Sequence, residues 1–101
     1  MRGKYNMMDW ELTRATNMVS KAIKDLKEYE IDDIKLSYED IAPYHVRQAL
    51  ENLGYTLSNV ESNCYDFWWY FTKENEVKVC VFFDARIFEL DLSLCFEEEY
   101  V

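Results

Sequence analysis

Tyr65-Asp66-Phe67-Trp68-Trp69-Tyr70-Phe71-Thr72 is the stretch on which the fold class turns. Aromatic residues suit the pleated, half-buried surface of a strand, and successive strand residues point to opposite faces. Tyr65, Phe67, Trp69 and Phe71 therefore share one face, while Asp66, Trp68, Tyr70 and Thr72 share the other. Both faces carry large rings, so both have apolar surface to hide. Downstream, Lys73-Glu74-Asn75-Glu76 reads as a polar turn, and a second strand follows over residues 77–83. Asp84-Ala85-Arg86 turns the chain again. A third strand over 87–96 places Phe88, Leu90, Leu92, Leu94 and Phe96 on one side, with Glu89, Asp91 and Ser93 on the other. That alternation is the mark of a half-buried strand. Upstream, residues 55–61 read as a weaker strand. Short connections between successive strands imply an antiparallel meander.

The first half of the chain reads as helix. Met8, Leu12, Ala15, Val19, Ala22, Leu26 and Tyr29 recur every three or four residues, the stripe of an amphipathic helix over 7–29. A second helix over 43–53 starts with Pro43, suited to a first helical turn. Val46, Ala49, Leu50 and Leu53 form its apolar face, and Gly54 is placed to stop it in the left-handed conformation. Residues 31–36 amount to a short extended piece between the helices. The expected architecture is α+β: two helices followed by a four-stranded antiparallel meander sheet, with the helices packed on one face.

A chain of 101 residues fits one domain. Two glycines and one proline leave no composition for linkers or low-complexity tracts. Cys64, Cys80 and Cys95 form no disulfide-like framework, which points to free, buried thiols in a reducing compartment. Neither a signal peptide nor a membrane span is expected, so the expected location is the cytoplasm. The net charge of -9 is unevenly spread. Through Glu30 there are six Lys/Arg against five Asp/Glu; from Ile31 onward there are five against fifteen. Such a balance disfavours direct nucleic-acid binding, whose affinity comes largely from cations neutralising phosphates, and suits a basic protein as partner.

Chemistry-bearing motifs are few. His45 has no nucleophile or second ligand at motif spacing. The cysteines stand sixteen and fifteen residues apart, unlike the close pairs of zinc sites. Asp66 with Glu76-Val77-Lys78 loosely resembles the Asp…Glu-x-Lys pattern of a large nuclease superfamily, in which two carboxylates hold a divalent cation and the lysine supports the attacking water. With glycines only at 3 and 54, no phosphate loop or dinucleotide fingerprint can be built. These readings point to no catalytic group, no metal site and no cofactor, and enzyme is the minority reading.

Two sets of residues read as partner-binding. If the helices cover the face of Phe67 and Phe71, Trp68 and Tyr70 are left beside Cys80 and Phe82, rimmed by Asp66, Glu89 and Asp91. Trp and Tyr are frequent interface anchors. The second set is acidic: Asp32, Asp33, Glu39, Asp40, Glu89, Asp91 and Glu97-Glu98-Glu99. Alternate strand residues lie ~6.8 Å apart, so Glu89 and Asp91 present two carboxylates side by side, a pattern open to mimicry of a DNA backbone. A small, acidic, aromatic-rich domain bearing Asp32-Asp33, Glu39-Asp40 and Glu97-Glu98-Glu99 resembles the phage-encoded inhibitors of bacterial defence, the anti-CRISPR and DNA-mimic anti-restriction proteins. The resemblance is one of class, without a defining motif. It implies a non-enzymatic inhibitor, acting in a host cytoplasm, that occupies the basic, nucleic-acid-binding surface of a larger protein such as a CRISPR or restriction nuclease or its ribonucleoprotein. The alternatives are an immunity protein neutralising a basic toxin and, on Asp66, Glu76 and Lys78, a small metal-dependent nuclease. The N-terminal arm and self-association as a homodimer are the other ways of covering the aromatic face.

Overall fold

Ala15, Val19, Ala22, Ile23 and Leu26 fall on one side of α1 (Asp9–Tyr29) and are buried, which is what the stripe requires. The computed structural model describes residues 9–96, so the expected first turn at 7–8 lies outside the described residues. Asp9 and Glu11 at the start and Lys27 at the end complement the helix dipole. Helix α2 (Pro43–Asn52) buries Val46, Ala49 and Leu50. Gly54, at φ 98°, ends it. The N–H of Tyr55 donates to the Leu50 carbonyl at 2.9 Å and that of Gly54 to Glu51 at 3.0 Å, the paired bonds of a Schellman stop. Neither helix is long and apolar enough to cross a membrane.

The sheet has five strands, not four: β1 (Ile34–Leu36), β2 (Thr56–Ser62), β3 (Asp66–Thr72), β4 (Lys78–Asp84) and β5 (Glu89–Cys95), in the order β1-β5-β4-β3-β2. All neighbours are antiparallel. The extra strand is the short extended piece between the helices. Ile34 and Leu36 pair with Leu92 and Leu90, so three residues suffice to hide two apolar side chains at the sheet edge. In β2 the register slips by one between Leu57 and Asn59. Ser58, at this bulge, donates its hydroxyl to the Tyr70 carbonyl at 3.0 Å. A one-residue slip exchanges the faces of everything after it. Val60 therefore joins Trp69, and Glu61 joins Trp68.

The helices cover one face. Phe71, Val79, Val81, Leu90 and Leu92 are buried there in a single cluster with Val19, Leu26, Val46 and Leu50. Coverage is incomplete at the end of the sheet away from the β3–β4 turn. Phe67, expected beneath the helices, is 37% exposed. Tyr65 precedes β3 and is exposed. Residues 87–88 belong to a longer turn instead of β5, so Ile87 and Phe88 leave the alternation and are exposed; Phe96, past the strand end, is exposed too. Phe88 adopts φ 54°. Its ring leans on Tyr38 (4.8 Å), which stacks on Phe83 (5.6 Å), which stacks on Phe67 (5.9 Å). Cys64 also departs from expectation: it sits in the β2–β3 turn and is exposed, whereas Cys80 is buried.

Where the helix layer ends can be measured by urea unfolding. Phe71→Ala should cost ~3–5 kcal/mol, as truncation of a fully buried ring does, and Phe67→Ala only ~1 kcal/mol, the scale of one aromatic contact. Equal losses would contradict this boundary.

Candidate functional site

Strand alternation places a second set of side chains on the face away from the helices, where no described element stacks. Cross-strand register arranges them in rows. The central row runs Glu61–Trp68–Phe82–Asp91–Lys35. Beside it, on the β3–β4 turn side, lies Asn59–Tyr70–Cys80–Ser93, and on the other side Asp66–Asp84–Glu89. The expected neighbourhood of Trp68, Tyr70, Cys80 and Phe82 is thus assembled as read. Trp68 and Phe82 pack with ring centroids 5.3 Å apart, and the Tyr70 hydroxyl donates to Glu61 at 3.3 Å.

The thiols on this face are inert. Burial, then the neighbouring Cys95, pushes the Cys80 thiol up to about 12, and burial raises Cys95 as well. Both stay protonated at neutral pH, the opposite of an activated nucleophile. Burial also pushes the Tyr70 phenol up to about 12. His45 caps its helix: its Nδ1 accepts the Ala42 N–H at 3.0 Å, and its ring lies 4.3 Å from that of Tyr44.

The carboxylates are less exposed than a solvated rim would be. Asp84 is buried and held by Arg86, whose Nε and Nη2 reach its two oxygens at 3.2 and 2.9 Å. That fork pulls Asp84 down to about 2. The guanidinium also lies 5.2 Å from the Tyr65 ring centre and 3.9 Å from Asp66 Oδ1. Asp91, expected on the rim, is only 9% exposed. It sits between Phe82 and Lys35, and Lys35 serves Glu89 at 2.5 Å while remaining 3.6 Å from Asp91. Burial, then the hydrogen bond and charge of Glu89, pushes Asp91 up to about 6, while Lys35 chiefly holds Glu89 below its ordinary range. Asp66 Oδ1 and Asp91 Oδ1 are both buried without a hydrogen-bond donor.

The other expected acids are dispersed. Asp33 acts electrostatically on Asp91 and Lys35 and so borders the face. Asp32 lies by the end of α1 near Phe96. Asp40 pairs with Arg14 of α1 at 3.5 Å, on the helix side, with Glu39 exposed beside it. Glu97, Glu98 and Glu99 lie outside the described residues. Asp66, Glu76 and Lys78 do not converge. Asp66 pairs with Asp84 at one end of β3, while Glu76 and Lys78 lie beyond Phe71 at the other, roughly 20 Å away at strand rise. Glu76 instead pairs with Lys27 at 2.7 Å. Among the described residues no group of three His, Cys, Asp or Glu is arranged to hold a metal ion. Sequence reading missed Glu61, Asp84, Arg86 and Lys35. The central Lys of Ile34-Lys35-Leu36 was a signal for a strand, but the bulge that turns Glu61 over has none.

No family model, curated protein or solved structure matches the chain.

Asp91 generates a pH prediction. The folded chain keeps its proton up to about pH 6, against an ordinary value of 3.8, so the fold loses stability as pH rises through that window. Asp91→Asn removes the charge and lets an amide donate to Glu89. The variant should melt ~4 °C or more above the parent at pH 7.5, the response to about 1 kcal/mol in a domain of this size, and the gain should shrink at pH 4.5. A lower melting temperature at pH 7.5, or a gain independent of pH, would contradict the placement of Asp91.

Proposed function

We propose that this chain is a non-catalytic protein-binding inhibitor whose open sheet face docks on the basic, nucleic-acid-binding surface of a larger protein, a nuclease of bacterial defence being the class its character resembles. The observation that carries the reading is the central row: the half-buried Trp68–Phe82 pair lies between Glu61 and Asp91 with no described element stacked on it, and Asp91 Oδ1, like Asp66 Oδ1 in the next row, is buried with no donor. A partly exposed Trp at the centre of such a patch is a frequent anchor of protein interfaces. A buried acceptor without a donor costs free energy that a docking cation would recover. A second copy of the chain fits poorly, since stacking two such faces brings Asp66, Asp84, Glu89 and Asp91 against their own kind. Nucleic acid is repelled for the same reason.

Asp91 is too deeply set to steer a partner from a distance; Glu61 and Glu89 carry that role. The test uses the tagged chain to recover a partner from bacterial lysate and then measures association and dissociation rates at several salt concentrations. Trp68→Ala should raise the dissociation rate about 30-fold, equivalent to about 2 kcal/mol. Glu61→Gln with Glu89→Gln should slow association and flatten its salt dependence, and duplex DNA should compete with the chain. Unchanged association rates for the neutralised variant at low and high salt, with DNA leaving the complex intact, would overturn the reading.

A further inference from the structure

We infer that the residue the open face receives from its partner is an arginine, its stem lying against Trp68 and its guanidinium over Phe82, forked onto Asp91 and Glu89 in place of Lys35. The inference rests on the proposal that this face is a docking surface and names the chemistry of what docks.

The molecule contains a built example of the arrangement one row away. Arg86 lies on the Tyr65 ring, forks onto Asp84 and approaches Asp66. Ring, fork-accepting carboxylate and second carboxylate together hold a guanidinium. The central row offers the same parts: Phe82 stands directly across from Asp91, with Trp68 on its other side, and Glu89 lies two residues from Asp91 on the same face of β5. What it lacks is the fork. Lys35 brings a single compact ammonium from the three-residue edge strand, and with its side chain 67% exposed it bonds Glu89 and leaves Asp91 Oδ1 without a donor.

Arginine completes that site where lysine does not. A guanidinium carries five donors in a rigid plane that matches carboxylates two at a time, and the plane stacks on an aromatic ring. An ammonium is a hydrated point charge, so a partner lysine would only repeat what Lys35 does. The charge of the face agrees: Glu61, Asp66, Asp84, Glu89 and Asp91 face Lys35, Lys78 and Arg86, an excess of carboxylates that a docking surface must offset with cations.

The experiment titrates the isotope-labelled full chain with two capped hexapeptides, one alternating serine with arginine and the other serine with lysine, following the Trp68 indole and Asp91 signals by NMR. The arginine peptide should shift both and bind at least ~5-fold more tightly than its lysine twin, since only the fork and the stack distinguish the two cations. Asp91→Asn and Trp68→Ala should each erase that preference. Lys35→Met, which keeps an apolar stem and removes the competing ammonium, should tighten arginine binding while a melt confirms the fold. Equal affinity for the two peptides at this face would overturn the arginine inference and leave the docking proposal standing. Shifts confined to other surfaces, or no binding at millimolar peptide, would overturn the inference, and docking itself would still be judged by the salt and DNA competition of the recovered complex.

Discussion

Phe71, Val79, Val81, Leu90 and Leu92 meet Val19, Leu26, Val46 and Leu50 in one layer of contact, and the other described residues are arranged around the fact that they form only one such layer. A helix with its side chains is ~10 Å wide, and five strands at ~4.8 Å spacing make a sheet that two helices cover once. With 21 residues in α1 and 10 in α2, no helix remains for the other face among the described residues. The same constraint explains why the cover thins at the Phe67 end, where Tyr38, Phe83 and Phe88 shield one another by stacking.

The face away from the helices is not left as plain apolar surface. Its rings are interleaved with acids at direct cross-strand positions, and the acids differ in state. Asp84 is satisfied by Arg86 and held ionised to about pH 2, whereas Asp91, one row away and without such a fork, ionises only near pH 6. Ionised at neutral pH and short of donors, Asp91 stores an unfavourable interaction in the free chain, which the proposed cationic partner would relieve. On the proposed function, stability is thereby exchanged for binding on the face the helices do not reach.

Much of this was legible in the sequence. Period-two alternation in β3 and β5 and the Gly54 stop are strong local signals, and the pairing of Trp68 with Phe82 follows once the meander is accepted. The misses have physical causes. Ile34-Lys35-Leu36 is too short to announce itself, and becomes a strand only because Leu90 and Leu92 offer it an edge. Phe88 looks like a continuation of the β5 alternation, yet the turn puts it at φ 54° and outside the ladder. Glu61 changes face through a bulge at Ser58 that no residue type marks. The depth of Asp91 could not be read from its alternation with Leu90 and Leu92, because the residues that bury it come from β4 and β1.

The central claim is that the half-buried rings of the Trp68 face stay open to solvent in the free chain, since no described element stacks on them, and solvent paramagnetic relaxation with a neutral gadolinium chelate tests it most directly. Accessible ring protons relax quickly in proportion to chelate concentration, and protons sealed in a core do not. The account expects the Trp68 and Phe82 rings to relax strongly while the Phe71 ring remains unaffected at the same concentration. Trp68 and Phe82 protected as well as Phe71 would mean that something in the free chain already covers this face, and the account would be wrong.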